Sequence, residues 1–157
     1  MKKGFTLVEL MLVLVVMALI ATLATGAAMK SIKQAKEQRI NATCVALKMA
    51  LTNYRTEEQR WPVALEPGQD QTIVSFRDNN AKVFGPMLED NKKVYLDTSA
   101  LLTQVPGFGT ISLREALERK VAPDLCKIGY PDPNKSGIFI CYKVTFNLAT
   151  DTVNVDR

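Results

Sequence analysis

Lys3-Gly4-Phe5-Thr6-Leu7-Val8-Glu9 runs straight into Leu10–Met29, twenty consecutive residues without an Asp, Glu, Lys or Arg. Such a stretch is about 30 Å long as a helix, the thickness of a bilayer's hydrocarbon core, so its length predicts a membrane-inserted helix. Met1-Lys2-Lys3 gives it a basic start, and Gly26-Ala27-Ala28 is the small-residue exit that a cleaved secretory signal would use. Glu9 argues against that reading. A carboxylate costs on the order of 1–3 kcal/mol in the apolar zone, and one set into an otherwise unbroken apolar run needs a partner.

Beyond Met29 no Gly, Pro or turn cluster interrupts the chain before Trp61-Pro62, so the same helix is expected to continue. Ile40, Cys44, Leu47, Leu51 and Tyr54 recur at spacings of three and four and make one core-facing stripe. Lys33, Lys36, Glu37, Lys48 and Arg55 fall mostly off it. The residue before a proline avoids helical backbone, which ends the run at Trp61. From Phe5 to about Gln59 the helix would be roughly 80 Å long. One small domain cannot bury such a spine, so its N-terminal half must pack on lipid or on other copies.

Beyond the apolar run remain about 125 of the 157 residues, enough for one modest core and too few for two large domains. With 47% hydrophobic and 23% charged residues the chain is neither disordered nor collagen-like. Histidine is absent, which removes the commonest general base and the commonest metal ligand. No Ser or Cys nucleophile has a histidine to activate it and no Gly-rich phosphate loop is present, so no catalytic site or cofactor is expected and the chain reads as no enzyme. Lys2 and Lys3 supply half of the net charge of +4, and no basic stripe with interleaved aromatics follows, so no nucleic-acid partner is inferred.

From Pro67 to Gly109 short elements are expected at Thr72–Phe76, Ala81–Leu88 and Lys93–Leu96. Ser112-Leu113-Arg114-Glu115 is a capping box opening a short helix over Leu113–Lys120, ahead of Pro123. Ile138, Ile140, Tyr142, Val144, Phe146 and Leu148 alternate with more polar neighbours and predict one half-buried strand. Ala149-Thr150-Asp151 would turn it into Thr152–Val155, a terminal hairpin. The expected fold is α+β: a long N-terminal helix on a small antiparallel sheet.

Of the three cysteines, Cys44 lies on the helix's core stripe and reads as a small buried hydrophobe, while Cys141 falls on the opposite, polar face of its strand. Cys126 precedes that strand in a Pro/Gly-rich loop, which favours a Cys126–Cys141 disulfide in an oxidising compartment; free thiols and pairings with Cys44 are the alternatives. Asp132, Asn134 and Ser136, with Gly137 sixth from Asp132, resemble the opening of a calcium loop. Lys143 stands where the bidentate Glu would be, so a plain turn is the better reading and no metal site is assigned.

The segment Lys3 to Glu9 resembles the type IV pilin and type II secretion pseudopilin superfamily. The resemblance implies that Gly4 ends a leader of residues 1–4 and that a prepilin peptidase cuts after it. Phe5 then becomes the N-methylated mature N-terminus, and Glu9 is the family's hallmark acid. On a helix Phe5 and Glu9 form an i,i+4 pair about 5–6 Å apart, so cleavage creates the missing counter-charge. The family pairs this acid with the Phe amine of an adjacent subunit. Flanking charges do not fix orientation, since Lys2 and Lys3 are balanced by Lys30, Lys33, Lys36 and Arg39. The resemblance implies a single-pass inner-membrane protein, N-terminus cytoplasmic, whose residues 5–29 are the transmembrane assembly half of the helix. Residues 30–62 would be its amphipathic half and 63–157 an extracytoplasmic head. Its partners would be the peptidase, an inner-membrane assembly platform, and copies of itself and related subunits in a periplasmic or cell-surface filament. Two positions depart from the family pattern, Gly26 where many members have Pro and Ala18 where Gly is common; local melting over Thr22–Gly26 is then weakened. In many type IV pilins a disulfide closes a C-terminal loop, in keeping with Cys126–Cys141, whereas the calcium motif of major pseudopilins is not matched. The competing reading is an exported or membrane-anchored monomeric binding domain whose residues 1–28 act only as signal or anchor.

Overall fold

Between Leu7 and Glu58 the sequence contains no Pro and a single Gly, and the chain forms one unbroken helix, α1. The computed structural model describes residues 6–65, 72–89 and 95–157, without the side chains of residues 23–25, 27 and 89. Gly26 stays helical, so the melting considered over Thr22–Gly26 does not occur in this state of the chain. The helix stops where Gln59 takes a left-handed backbone (φ 55°) and its side-chain amide donates to the Thr56 carbonyl at 2.6 Å, ahead of Trp61-Pro62. By its contacts the chain divides into two units, Met1–Gln38 and Arg39–Arg157.

In the second unit the expected stripe is the core face of α1. Ile40, Leu47, Leu51 and Tyr54 are buried, Ala50 joins them, and Cys44 packs at the margin. Leu47 and Leu51 are essentially inaccessible, and each such side chain contributes about 1.5–3 kcal/mol by leaving water. The same core takes Val144, Phe146, Val153 and Val155 from one sheet and Ile128 and Tyr130 from the other.

The strands are β1 (Ile73–Phe76), β2 (Leu102–Val105), β3 (Gly109–Ser112), β4 (Lys127–Pro131), β5 (Phe139–Cys141), β6 (Lys143–Asn147) and β7 (Thr152–Asp156). They form two antiparallel sheets, β1-β6-β7 and β3-β2-β4-β5. Among the described residues the unit also has two short α-helices, α2 (Ala81–Glu89) and α3 (Leu113–Glu118), and a 3-10 turn at Pro123–Leu125. The elements expected at Thr72–Phe76 and Ala81–Leu88 are β1 and α2. The one at Lys93–Leu96 falls largely outside the described residues. Ser112 caps α3, its hydroxyl accepting from the Glu115 N–H at 3.1 Å. The Glu115 carboxylate does not close the box: it accepts from Arg119 at 2.6 Å.

The strand expected over Ile138–Leu148 is two strands in different sheets, a correction with a local cause. Cys141 and Tyr142 are consecutive and both buried, so the alternation slips by one residue there, and β5 pairs with β4 while β6 pairs with β1 and β7. Asn80, fully buried just before α2, holds the change of sheet. Its amide nitrogen donates to the carbonyls of Ile128 (2.7 Å) and Tyr142 (3.0 Å), and its oxygen accepts from the Ile128 N–H at 3.2 Å. Opposite Cys141, a Cβ on Gly129 would run into the Ile140 carbonyl oxygen and lie 2.7 Å from the Phe139 ring, so only glycine fits.

Candidate assembly segment

Thr6, immediately before α1, and Glu9 in its first turn bond reciprocally. The Thr6 N–H and hydroxyl each donate to Glu9 Oε2 at 2.9 Å, and the Glu9 N–H donates to Thr6 Oγ1 at 3.3 Å. The helical ladder begins with Leu10 N–H to the Thr6 carbonyl at 3.2 Å. This is a capping box, which satisfies N–H groups that the helix itself leaves orphaned. The sequence reading of Glu9 missed Thr6, although the signal was present: a Thr three residues ahead of a Glu, opening an apolar run. Gly4 and Phe5, the expected processing residues, lie outside the described residues.

After Glu9 the helix in the first unit has no buried side. Every described side chain from Thr6 to Thr22 is exposed, and the large apolar ones retain between 45% (Val13) and 75% (Leu7) of their accessible surface. A helix that is apolar all round belongs in lipid or among other helices, because water would meet it on every side. Among the described residues no helix is long and apolar enough to cross a membrane. The twenty-residue uncharged run is a property of the sequence, and part of it lies among the undescribed side chains.

Residues 1–25 carry the prokaryotic N-terminal methylation motif. It is the signature of type IV pilins and pseudopilins, and it covers Gly4, Phe5, Thr6 and Glu9. The motif supports a pilin-like precursor, and it points to a structural subunit rather than an enzyme. No curated protein and no solved structure matches the chain.

The other candidate residues lie in the second unit. Cys44, Cys126 and Cys141 are all free thiols, so the expected Cys126–Cys141 bridge is not formed. The register explains why. Gly129 faces Cys141 across β4 and β5, and Cys126 sits three residues before Gly129, about 10 Å along the strand, beyond the Cα separation of about 7 Å that a disulfide spans. Instead of folding over the outer face, Cys126 enters the core, where its thiol contacts the Ala122 carbonyl at 3.7 Å. Burial pushes all three thiols up, which keeps them protonated and poorly nucleophilic.

Asp132, Asn134 and Ser136 lie in the β4–β5 turn. The Asp132 carboxylate accepts from the Asn134 N–H at 2.8 Å, the Asp132 N–H donates to the Ile138 carbonyl at 2.8 Å, and Gly137 supplies a left-handed backbone (φ 81°). The carboxylate is thus engaged in closing the turn. Among the described residues no group of three or more His, Cys, Asp or Glu side chains is placed to hold a metal ion.

Proposed function

We propose that this chain is the precursor of a structural filament subunit. Prepilin peptidase cuts between Gly4 and Phe5, Phe5 is N-methylated, and the mature chain polymerises through Phe5–Met29 into a type IV pilus-like fibre or a type II secretion pseudopilus. Before assembly it waits in the inner membrane with its N-terminus cytoplasmic and residues 63–157 outside. One observation supports this reading: the methylation motif heads a helix whose described side chains from Thr6 to Thr22 are all exposed, the large apolar ones included. Such a helix gains a partner only from lipid or from neighbouring copies, and a stack of copies offers each Glu9 the Phe5 amine of the next subunit. An unpaired charge buried in that stack would cost about 3–5 kcal/mol, which favours register between subunits.

Intact-mass analysis and one variant test the proposal together. The mature protein is expected to lack Met1–Gly4 and to carry one added methyl group. Glu9→Leu should leave insertion and cleavage unchanged, since it lengthens the apolar run, yet leave processed protein as unassembled membrane monomer. A cut near Ala28, or wild-type filament yield from Glu9→Leu, would overturn the reading.

A further inference from the structure

The uncharged run ends abruptly at Met29, and Lys30, Lys33 and Lys36 follow it, all exposed and all within the first unit. α1 passes through them without a break, so distance along the sequence converts directly into height along the helix axis. At 1.5 Å per residue the three positions stand about 1.5, 6 and 10 Å beyond Met29. The polar headgroup layer of a bilayer is about 5–7 Å thick on each side of the hydrocarbon core, and a lysine stem adds reach of its own. With Leu10–Met29 filling the core, Lys30 and Lys33 lie within that layer and Lys36 lies at its outer margin, while Glu9 stands at the opposite boundary.

Steps of three residues keep the lysines on about one third of the helix circumference, so their charges act on one patch. The acid of this stretch is Glu37, half-buried and four residues past Lys33, and among the described residues no ion pair joins it or any other acid to the three lysines. The patch stays net positive with Glu37 counted. Lysines just past the translocated end of a spanning helix work against its insertion, because Lys and Arg favour the cytoplasmic side. Lys2 and Lys3 stand ahead of the helix, and cleavage after Gly4 removes both. The processed helix then keeps flanking lysines on its outer side alone. Anions in the outer headgroup layer offset that cost, and acidic phospholipid supplies them at the height of these side chains.

We propose that Lys30, Lys33 and Lys36 form a collar that binds the anionic phospholipid headgroups of the outer leaflet while the subunit waits in the membrane. The proposal rests on the membrane-inserted precursor above and names its lipid partner. The apolar run fixes the height of the collar, and the lysines fix the sign of the headgroup it takes.

The test uses the full chain reconstituted in phosphatidylcholine vesicles that carry a trace of spin-labelled phosphatidylglycerol or of spin-labelled phosphatidylcholine, with the motionally restricted fraction of each read by electron spin resonance. The wild-type chain should favour phosphatidylglycerol by about fivefold or more, the effect of even one lysine held at an anionic surface. Lys30→Gln, Lys33→Gln and Lys36→Gln combined should remove most of that preference, whereas Lys2→Gln with Lys3→Gln should keep most of it. Equal preference in the wild type and the triple variant would overturn the collar and leave the filament reading standing. Loss of filaments from the triple variant in cells, with an unchanged lipid preference, would assign the lysines to a neighbouring copy and likewise overturn the collar. A full chain that stays outside the vesicles would overturn the collar and the membrane-inserted precursor together.

Discussion

The indole N–H of Trp61 donates to Asp151 Oδ1 at 2.9 Å, joining the residue just past the end of α1 to the turn between β6 and β7. Arg55, in the last turn of α1, donates to both oxygens of the same carboxylate, at 3.4 Å from Nε and 3.1 Å from Nη2, and stacks 5.8 Å from the Trp61 ring. Trp61 also meets Phe146 edge-on at 5.0 Å. Asp151 holds a left-handed backbone (φ 48°), which Asp tolerates better than most residues. One carboxylate thus fixes where the helix exit lies against the C-terminal hairpin.

Hydrogen bonds from Arg55 and Trp61 hold the Asp151 carboxyl below the usual carboxylate range. A depressed folded-state pKa means that the stabilisation is complete above the unfolded value of about 3.9 and is lost as pH falls through the lower folded value. Asp151→Asn should therefore melt below the wild-type chain at neutral pH, and the gap should close under acid conditions. Thermal melts of both proteins across pH 2–7, a range chosen to bracket that value, check this; a gap independent of pH would show that the charge contributes nothing.

Asn80 is the second test. Asn80→Ala removes three hydrogen bonds at once and takes the side-chain partner from the Ile128 N–H and the Tyr142 carbonyl at a fully buried position. Each orphaned buried group costs about 1–3 kcal/mol, so a loss of about 3 kcal/mol or more is expected in denaturant unfolding. A change within about 0.5 kcal/mol, the range of an ordinary surface substitution, would mean that the change of sheet does not depend on this side chain.

These residues also show what the sequence can and cannot reveal. The α1 core stripe from Ile40 to Tyr54, the Ser112 cap and the β6–β7 hairpin were legible because each is written in a local period or a short motif. Asn80 was not, since its partners lie 48 and 62 positions away and a polar residue before a helix reads equally well as a solvated cap. The break at Tyr142 was hidden because Ile140, Tyr142, Val144 and Phe146 keep an unbroken alternation by residue type, while burial of Cys141 beside Tyr142 depends on which strands sit opposite. The N-terminal methylation motif over residues 1–25 was legible too, being a string of adjacent residues.

The cysteines give a chemical count. With Cys44, Cys126 and Cys141 all free, the full chain denatured without reductant should label with three thiol equivalents, and reductant should add none. In the native state Cys44, the half-buried one, should react first, and Cys126 and Cys141 only as the fold opens. A single equivalent without reductant would show a bridge and require β4 and β5 to shift from the observed register.

The last prediction concerns the residue that holds Glu9. Thr6→Ala removes the hydroxyl, and with it two of the three bonds of the capping box, while the residue-6 N–H can still reach Glu9 Oε2. Loss of a Thr cap costs about 1 kcal/mol, which corresponds to roughly fivefold faster opening of the first turn. Hydrogen exchange on the unassembled chain in detergent should show that acceleration at the Glu9 and Leu10 amides and nowhere beyond the second turn, because the rest of α1 keeps its own ladder. Thr6→Ser, which retains the hydroxyl, should restore wild-type protection. If Thr6→Ala left those amides unchanged, the Glu9 carboxylate alone would suffice to start the helix, and the Thr6 hydroxyl would have no part in holding Glu9 before assembly.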